Sequence, residues 1–475
     1  MDTRVSHHLL EIGILQEYCA LGCLLDSNER FDPPRCAEET REAITLELMD
    51  WITNDDEAAS MAWLYGGAGV GKSALLQSIA ELCRRERRHV SSHFFSRTAQ
   101  SFERVDGNRW IPTFVLQLMD IFEGIRPHIQ ECIAKNPTIF ARSRATQMED
   151  LVLSPLTLIY REQQSWTESI VSLLQKLLAV QHGQKTRRDR RQRLIVIDGL
   201  DECQNPDIQC DILNIVANAL PRLPFPFRFL ISSRPETHII HTLDQLRFSK
   251  NTDILRINLS NDPNAENDIR KFVTRRFQEI RRTHRFRGNL DLTWPSKEAI
   301  ETIVKKSSGH FFYPNTALRY IQSPKGKPDQ RLREVLRISP PSGNHAPFDE
   351  MDASYRHILQ GIDEADRGLT YTIIGILYVT SGRDCGEAPL KPTLAQIAQC
   401  LDIDTDDITL LMDPLLSLIA VPSDPESEMK VLHTTLFDFL LDASRAGALT
   451  LDIGTAHLIL AEYILKFISK GWLDG

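Results

Sequence analysis

Residues 66–73 read Gly66-Gly67-Ala68-Gly69-Val70-Gly71-Lys72-Ser73, a fit to G-x-x-x-x-G-K-[ST] without a mismatch. The spacing has a chemical reason. Glycines let backbone N–H groups turn inward around a phosphate, where a Cβ would collide. Lys72 supplies a mobile positive charge for the outer phosphates, and the Ser73 hydroxyl completes part of a Mg²⁺ shell. The apolar run Ala62–Tyr65 ahead of the loop predicts a buried strand. The stretch 73–82 predicts a helix whose positive end points at the same anion. Gly66 to Ser73, with the following Ala74, are therefore the expected nucleotide contacts.

Downstream, four apolar residues, Leu194-Ile195-Val196-Ile197, lead into Asp198-Gly199-Leu200-Asp201-Glu202. They place Asp198 at the carboxyl end of a buried strand, where it is expected to hold Mg²⁺ through water. A second acid is needed to orient an attacking water. Because Gly199 follows Asp198 directly, Asp201 or Glu202 must take that role. The next apolar run ends in Ser232-Ser233-Arg234-Pro235. A guanidinium there suits a γ-phosphate sensor; the bland reading is a surface arginine in a capping turn.

Five short apolar runs stand out as strands: 62–65, 90–95, 194–197, 227–231 and 254–259. Helix-length segments separate them, which is the pattern of a parallel sheet covered on both faces. Ahead of them, Glu38–Thr53 has the apolar spacing of an amphipathic helix. Beyond Ser260 the strand signals largely stop. Segments 266–280, 296–307 and 351–379 predict helices. Two further helices over 393–401 and 406–418, followed by a small hairpin around 423–427, have the layout of a winged helix.

At 475 residues the chain exceeds one hydrophobic core. We divide it into a helical leader (1–30), a sheet domain (31–260), a helical domain (261–345), a winged-helix region (346–446) and a C-terminal helix (447–475). The net charge of −9 gives no expectation of a specific nucleic-acid partner. The basic run 185–193 has two readings, a nuclear or nucleic-acid patch and a solvated linker; Arg84–Arg88 reads as an exposed helix end. The most apolar run, Tyr371–Thr380, is about half of what a bilayer requires, so no membrane partner is expected. The first residues lack a signal-peptide core, so a cytoplasmic location is expected. Nine cysteines without a C-x-x-C pair read as reduced thiols.

The loop, the DGLDE form of 198–202 and the SSRPE form of 232–236 resemble the NACHT subgroup of STAND signal-transduction ATPases. The likeness is greatest to the fungal branch with a nephrocystin-like N-terminal nucleotide-binding domain. That resemblance implies an α/β P-loop NTPase with a parallel five-stranded sheet of ASCE-type order, followed by helical and winged-helix domains. It places the second acid at Asp201. It places the base near Phe31–Arg41 and likens Gly309–Ile321 to a helix of the helical domain, with Pro314 against adenine. It also matches Leu432–Leu440 to the segment in which a histidine holds the ADP phosphate, which falls on His433; the acid that follows in relatives is Thr434 here. Relatives usually add an N-terminal effector and C-terminal repeats.

The implied function is a switch gated by ATP/ADP with Mg²⁺: closed with ADP, open and self-associating with ATP, acting on an unknown protein effector in NLR-like signalling, with at most slow hydrolysis. Two alternatives stand beside it, a constitutive remodelling ATPase and a non-catalytic interaction scaffold.

Overall fold

The computed structural model describes residues 11–30, 33–54, 59–97, 102–122, 124–165, 193–250, 252–307, 309–324, 326–337, 349–380, 392–415, 418–431 and 435–471. The runs 62–65, 194–197 and 227–231 sit in strands β1 (Met61–Tyr65), β3 (Arg193–Asp198) and β4 (Phe227–Ser233), and those at 90–95 and 254–259 in β2 (Val90–Phe94) and β5 (Ile254–Asn258). All pair in parallel, in the order β2-β3-β4-β1-β5. Every residue of β3 and β4 is buried. Central strands with helices on both faces need apolar residues in both directions, so their sequences read as runs rather than alternations.

That order sets the geometry of the site. β4 lies between β1, which carries the glycine loop, and β3, which carries Asp198. Leu64 is in register with Ser232, and Ile197 with Ile231. The carboxyl ends of all three strands therefore open on one crevice, where ligands of open α/β sheets bind.

Helix 38–53 is shorter than its apolar pattern predicts and begins at Glu42. Glu39 and Arg41 have φ of 64° and 57°, in the left-handed region that a right-handed helix cannot include. The stretch 406–418 also breaks early, with helix Thr405–Leu411 giving way to a single turn at Asp413–Leu415. Pro414 removes a backbone donor and disfavours helical geometry at Asp413. Helix Leu394–Leu401, this second helix and the antiparallel pair β6 (Ile419–Ala420) and β7 (Lys430–Val431) follow one another.

The leader is not a loose appendage. Residues 11–17 are helical, and Leu15 and Cys19 join the core under the sheet. The Ala20 N–H donates to Thr113 Oγ1 at 2.8 Å, and the Leu25 N–H to Ser92 Oγ of edge strand β2 at 2.8 Å. Of the basic run 185–193, all but Arg193 lies outside the described residues. Among the described residues no single helix is long and apolar enough to cross a membrane.

Candidate nucleotide-binding site

The glycine loop joins β1 to helix Lys72–Arg85. Gly69 and Gly71 have φ of 76° and 96°, which a side chain would strain. Gly69 carries a second constraint, because a Cβ there would lie 2.4 Å from Phe312 Cβ. The loop is also clasped from its other side. The Phe312 N–H donates to Gly69 O at 3.2 Å, and the Gly67 N–H to Ser260 Oγ at 3.0 Å. Lys72 Nζ bridges Gly66 O and Gly67 O at 2.8 and 2.9 Å. Burial lowers the Lys72 pKa while Asp201 raises it.

Asp198 ends β3 fully inside the protein. Ser232 Oγ donates to its Oδ1 at 2.5 Å and accepts the Gly199 N–H at 3.0 Å, so one hydroxyl of β4 fixes the orientation of the acid. Burial pushes the Asp198 carboxyl up against the opposing effect of hydrogen bonds from Ser232 and Ser73. Ser73 and Asp198 thus form a pair of hard oxygen donors. Among the described residues no three His, Cys, Asp or Glu gather to hold a metal. Two oxygens suit Mg²⁺, which keeps water and takes its other ligands from phosphates, so the residues present fit the ion the sequence implied.

The raised Asp198 pKa has a testable sign. A carboxyl more acidic unfolded than folded costs stability once pH exceeds the unfolded value, and costs nothing when both states are protonated. Asp198→Asn keeps an acceptor for Ser232. It should raise the melting temperature at pH 7, leave it unchanged near pH 3, and remove Mg²⁺-dependent nucleotide binding. Calorimetric melts at both pH values, with and without Mg²⁺ and ATP, check it.

The two acids left open by the sequence occupy different positions. Asp201 Oδ1 accepts the Arg234 N–H at 2.9 Å, and its Oδ2 lies 3.3 Å from Arg234 Nε. Glu202 Oε2 accepts the Arg97 N–H at 2.8 Å, and burial, with Asp201 beside it, pushes the Glu202 carboxyl up. Arg234 NH2 also lies 3.6 Å from Asp438 Oδ2, on helix Thr435–Leu441. Asp201, Glu202 and Arg234 therefore meet at one end of the crevice.

A cavity of about 760 Å³ runs from Gly69, Gly71, Lys72, Ser73 and Ala74 past Asp198. It continues to Pro33, Thr40, Phe311 and Phe312, with Leu418 and Leu436 on its rim. Its size lies within the ~300–1,000 Å³ of small-molecule sites. Gly66, Gly67 and Val70 belong to the loop without lining the cavity; Val70 is wholly buried and its carbonyl accepts from Arg41 at 2.8 Å. Pro314 is buried in helix Phe312–Gln322 and outside the lining, where Phe311, Asn315, Thr316 and Arg319 stand instead. The proline faces the helical core because the cavity takes the other side of that helix. His433 lies outside the described residues.

Arg41 closes the segment 31–41 that the resemblance places near the base, but its pairing was not legible there. Its guanidinium bonds Asp262 and Val70 O, while its backbone N–H donates to Asp268 Oδ2 at 2.8 Å. A positive-φ arginine paired more than two hundred residues away leaves no local signal. Arg41→Ala leaves Asp262 buried and unpaired. It should cost about 3 kcal/mol and appear as a lower urea midpoint.

Residues 44–164 and 143–234 match the family described as Nephrocystin 3, N-terminal, a span holding β1 to β4, the glycine loop, the segment 198–202 and Arg234. Residues 44–234 thus form a nephrocystin-like N-terminal domain, on a parallel sheet with a P-loop ahead of helix Lys72–Arg85. No curated protein matches the chain. Among solved structures it is similar to a Walker-type ATPase of Pyrococcus abyssi, at 14% identity over 85% of this chain and 97% of that one, with a TM-score of 0.33. It is also similar to Cdc6p of Pyrobaculum aerophilum, at 12% identity over 93% and 99% with a TM-score of 0.36. The Aeropyrum pernix ORC2 protein in ADPNP–ADP complexes matches at 13% identity over 94% and 100%, also with a TM-score of 0.36.

Proposed function

We propose that the chain is a nucleotide-gated switch of the NACHT/STAND type, in which ADP with Mg²⁺ holds a closed form and ATP releases the C-terminal helical region to self-associate and engage a protein effector. The observation that carries this reading is Arg234. One guanidinium stands between Asp201, beside the Mg²⁺-binding acid, and Asp438 of a helix more than two hundred residues further on. In this reading Gly66–Ala74 hold the phosphates, Ser73 and Asp198 hold Mg²⁺, and Asp201 or Glu202 positions the water of a slow hydrolysis. His433 is proposed as a further contact to ADP.

The pair is partly exposed, so it stabilises the closed form by at most ~1 kcal/mol. Moving a switch from 1:99 to 99:1 takes about 5.5 kcal/mol, and packing of Phe312, Leu418 and Leu436 about the cavity must supply most of it. Asp438→Asn is therefore expected to speed ADP release two- to fivefold and to increase the associated fraction with ATP. Stopped-flow release of a fluorescent ADP and light scattering read both; unchanged values would remove Asp438 from the latch.

The decisive experiment on wild-type protein is its oligomeric state and turnover with ADP, ATP and a non-hydrolysable triphosphate. The switch reading requires a nucleotide-dependent change in size and turnover well below about one per second. Sustained faster turnover without a change in size would replace it with a constitutive ATPase.

A further inference from the structure

The cavity is strongly electropositive in a chain of net charge −9. Eight of its lining side chains are Arg or Lys, against the three acids Asp198, Asp201 and Glu202. Several of the eight have an acidic partner: Arg35 pairs with Glu81, Arg41 with Asp262, Arg234 with Asp201 and Arg276 with Glu279. Arg30 and Arg104 differ. Both are only 8% exposed, and among the described residues neither has a carboxylate at ion-pair distance. Arg30 NH1 donates to the carbonyls of Leu25 at 3.1 Å and Leu24 at 3.5 Å. Arg104 Nε and NH2 share the carbonyl of Phe94 at 3.4 and 3.2 Å. Arg30 leaves more than half of its five N–H donors without a protein acceptor among the described residues, and Arg104, which also bonds the Cys23 sulfur, leaves the remainder of its own. Burying two neighbouring cations without a counter-ion in contact is costly. Their mutual effect shows in Arg30, whose pKa falls to about 10 through burial and the charge of Arg104, against the opposing pull of the more distant Asp198 and Glu81.

Their place along the sheet edge says what would compensate them. Arg30 stacks 3.5 Å from the ring centroid of Phe94, the last residue of β2 and the register partner of Asp198. A phosphate chain anchored on the loop after β1 and extended past Asp198 brings its last phosphate towards β2. We propose that Arg30 and Arg104 form the seat of the terminal phosphate of a nucleoside triphosphate, so that the leader segment, through Arg30, distinguishes ATP from ADP. The inference rests on nucleotide binding at the glycine loop and adds which residues read the phosphate count. Planar guanidiniums suit the role because they bind phosphate oxygens in pairs.

The test measures binding of Mg²⁺–AMPPNP and Mg²⁺–ADP by calorimetry to full-length wild type, Arg30→Gln, Arg104→Gln and Arg30→Lys. Both glutamine variants are expected to lose triphosphate affinity tenfold or more while ADP affinity stays within twofold, with Arg30→Lys in between. Equal losses for both nucleotides, or no loss, would overturn the proposal while leaving nucleotide binding intact. Failure of wild type to bind either nucleotide would sink the broader reading instead. Should the glutamine variants not fold, phenylglyoxal labelling of wild type decides. Triphosphate should protect Arg30 in peptide mass spectrometry where ADP does not, and equal protection would overturn it.

Discussion

Lys72→Ala is expected to weaken ATP and ADP binding by about 100-fold or more, with little change in the stability of the nucleotide-free protein. A charge-assisted hydrogen bond to a phosphate contributes ~1.5–3 kcal/mol, and Nζ is placed to make several. Its present partners, Gly66 O and Gly67 O, are backbone carbonyls of the same loop. Exchanging them for phosphate oxygens therefore requires a side-chain rotation and no movement of the chain. The stability of the free protein should hold because the substitution also removes a cation whose burial is unfavourable. Titration with a fluorescent nucleotide and a denaturant melt measure the two halves. Affinity within twofold of wild type would exclude the loop as the nucleotide seat.

The second large effect is at Gly69. Valine there faces two penalties: a left-handed φ of 76° for a β-branched residue, and a Cβ only 2.4 Å from Phe312 Cβ. Neither atom can swing away, since both are fixed to backbone. We expect a loss of about 3 kcal/mol or more, read as a lower urea midpoint. Gly71→Ala is the control, because its φ is also positive but its Cβ would meet nothing within 4 Å. It should cost only about 1–2 kcal/mol. Combining Gly69→Val with Phe312→Gly, which removes the facing Cβ, should be less destabilising than the sum of the two. Strict additivity would mean that the helix beginning at Phe312 does not press on the loop.

The sheet was legible because its signals are local. Continuous apolar runs mark doubly covered strands, and the motifs at 66–73 and 198–202 declare their chemistry in consecutive residues. What stayed hidden is pairing across the chain. Arg30, Arg41, Arg97, Arg104 and Asp438 face the site or its partners through contacts tens to hundreds of residues away, and no spacing rule announces them. Asp438 is the clearest case. Leu436, Phe437, Phe439 and Leu440 around it are all buried. An acid between apolar residues has the local pattern of the wet side of a helix, and its partner Arg234 lies more than two hundred residues away. Helix starts were misjudged at Glu38 for a different reason, since two left-handed residues interrupt an otherwise suitable pattern.

The leader's attachment has a mechanical consequence. Its ties come in sequence along the chain: Leu15 and Cys19 in the core, Ala20 to Thr113, Leu25 to Ser92, then Arg30 against Phe94. Tension applied ahead of Leu15 would load these one at a time, as a zip, rather than together in shear. The last tooth of that zip lines the nucleotide cavity. A load on the leader would thus reach the cavity last, after the ties at Leu15, Ala20 and Leu25.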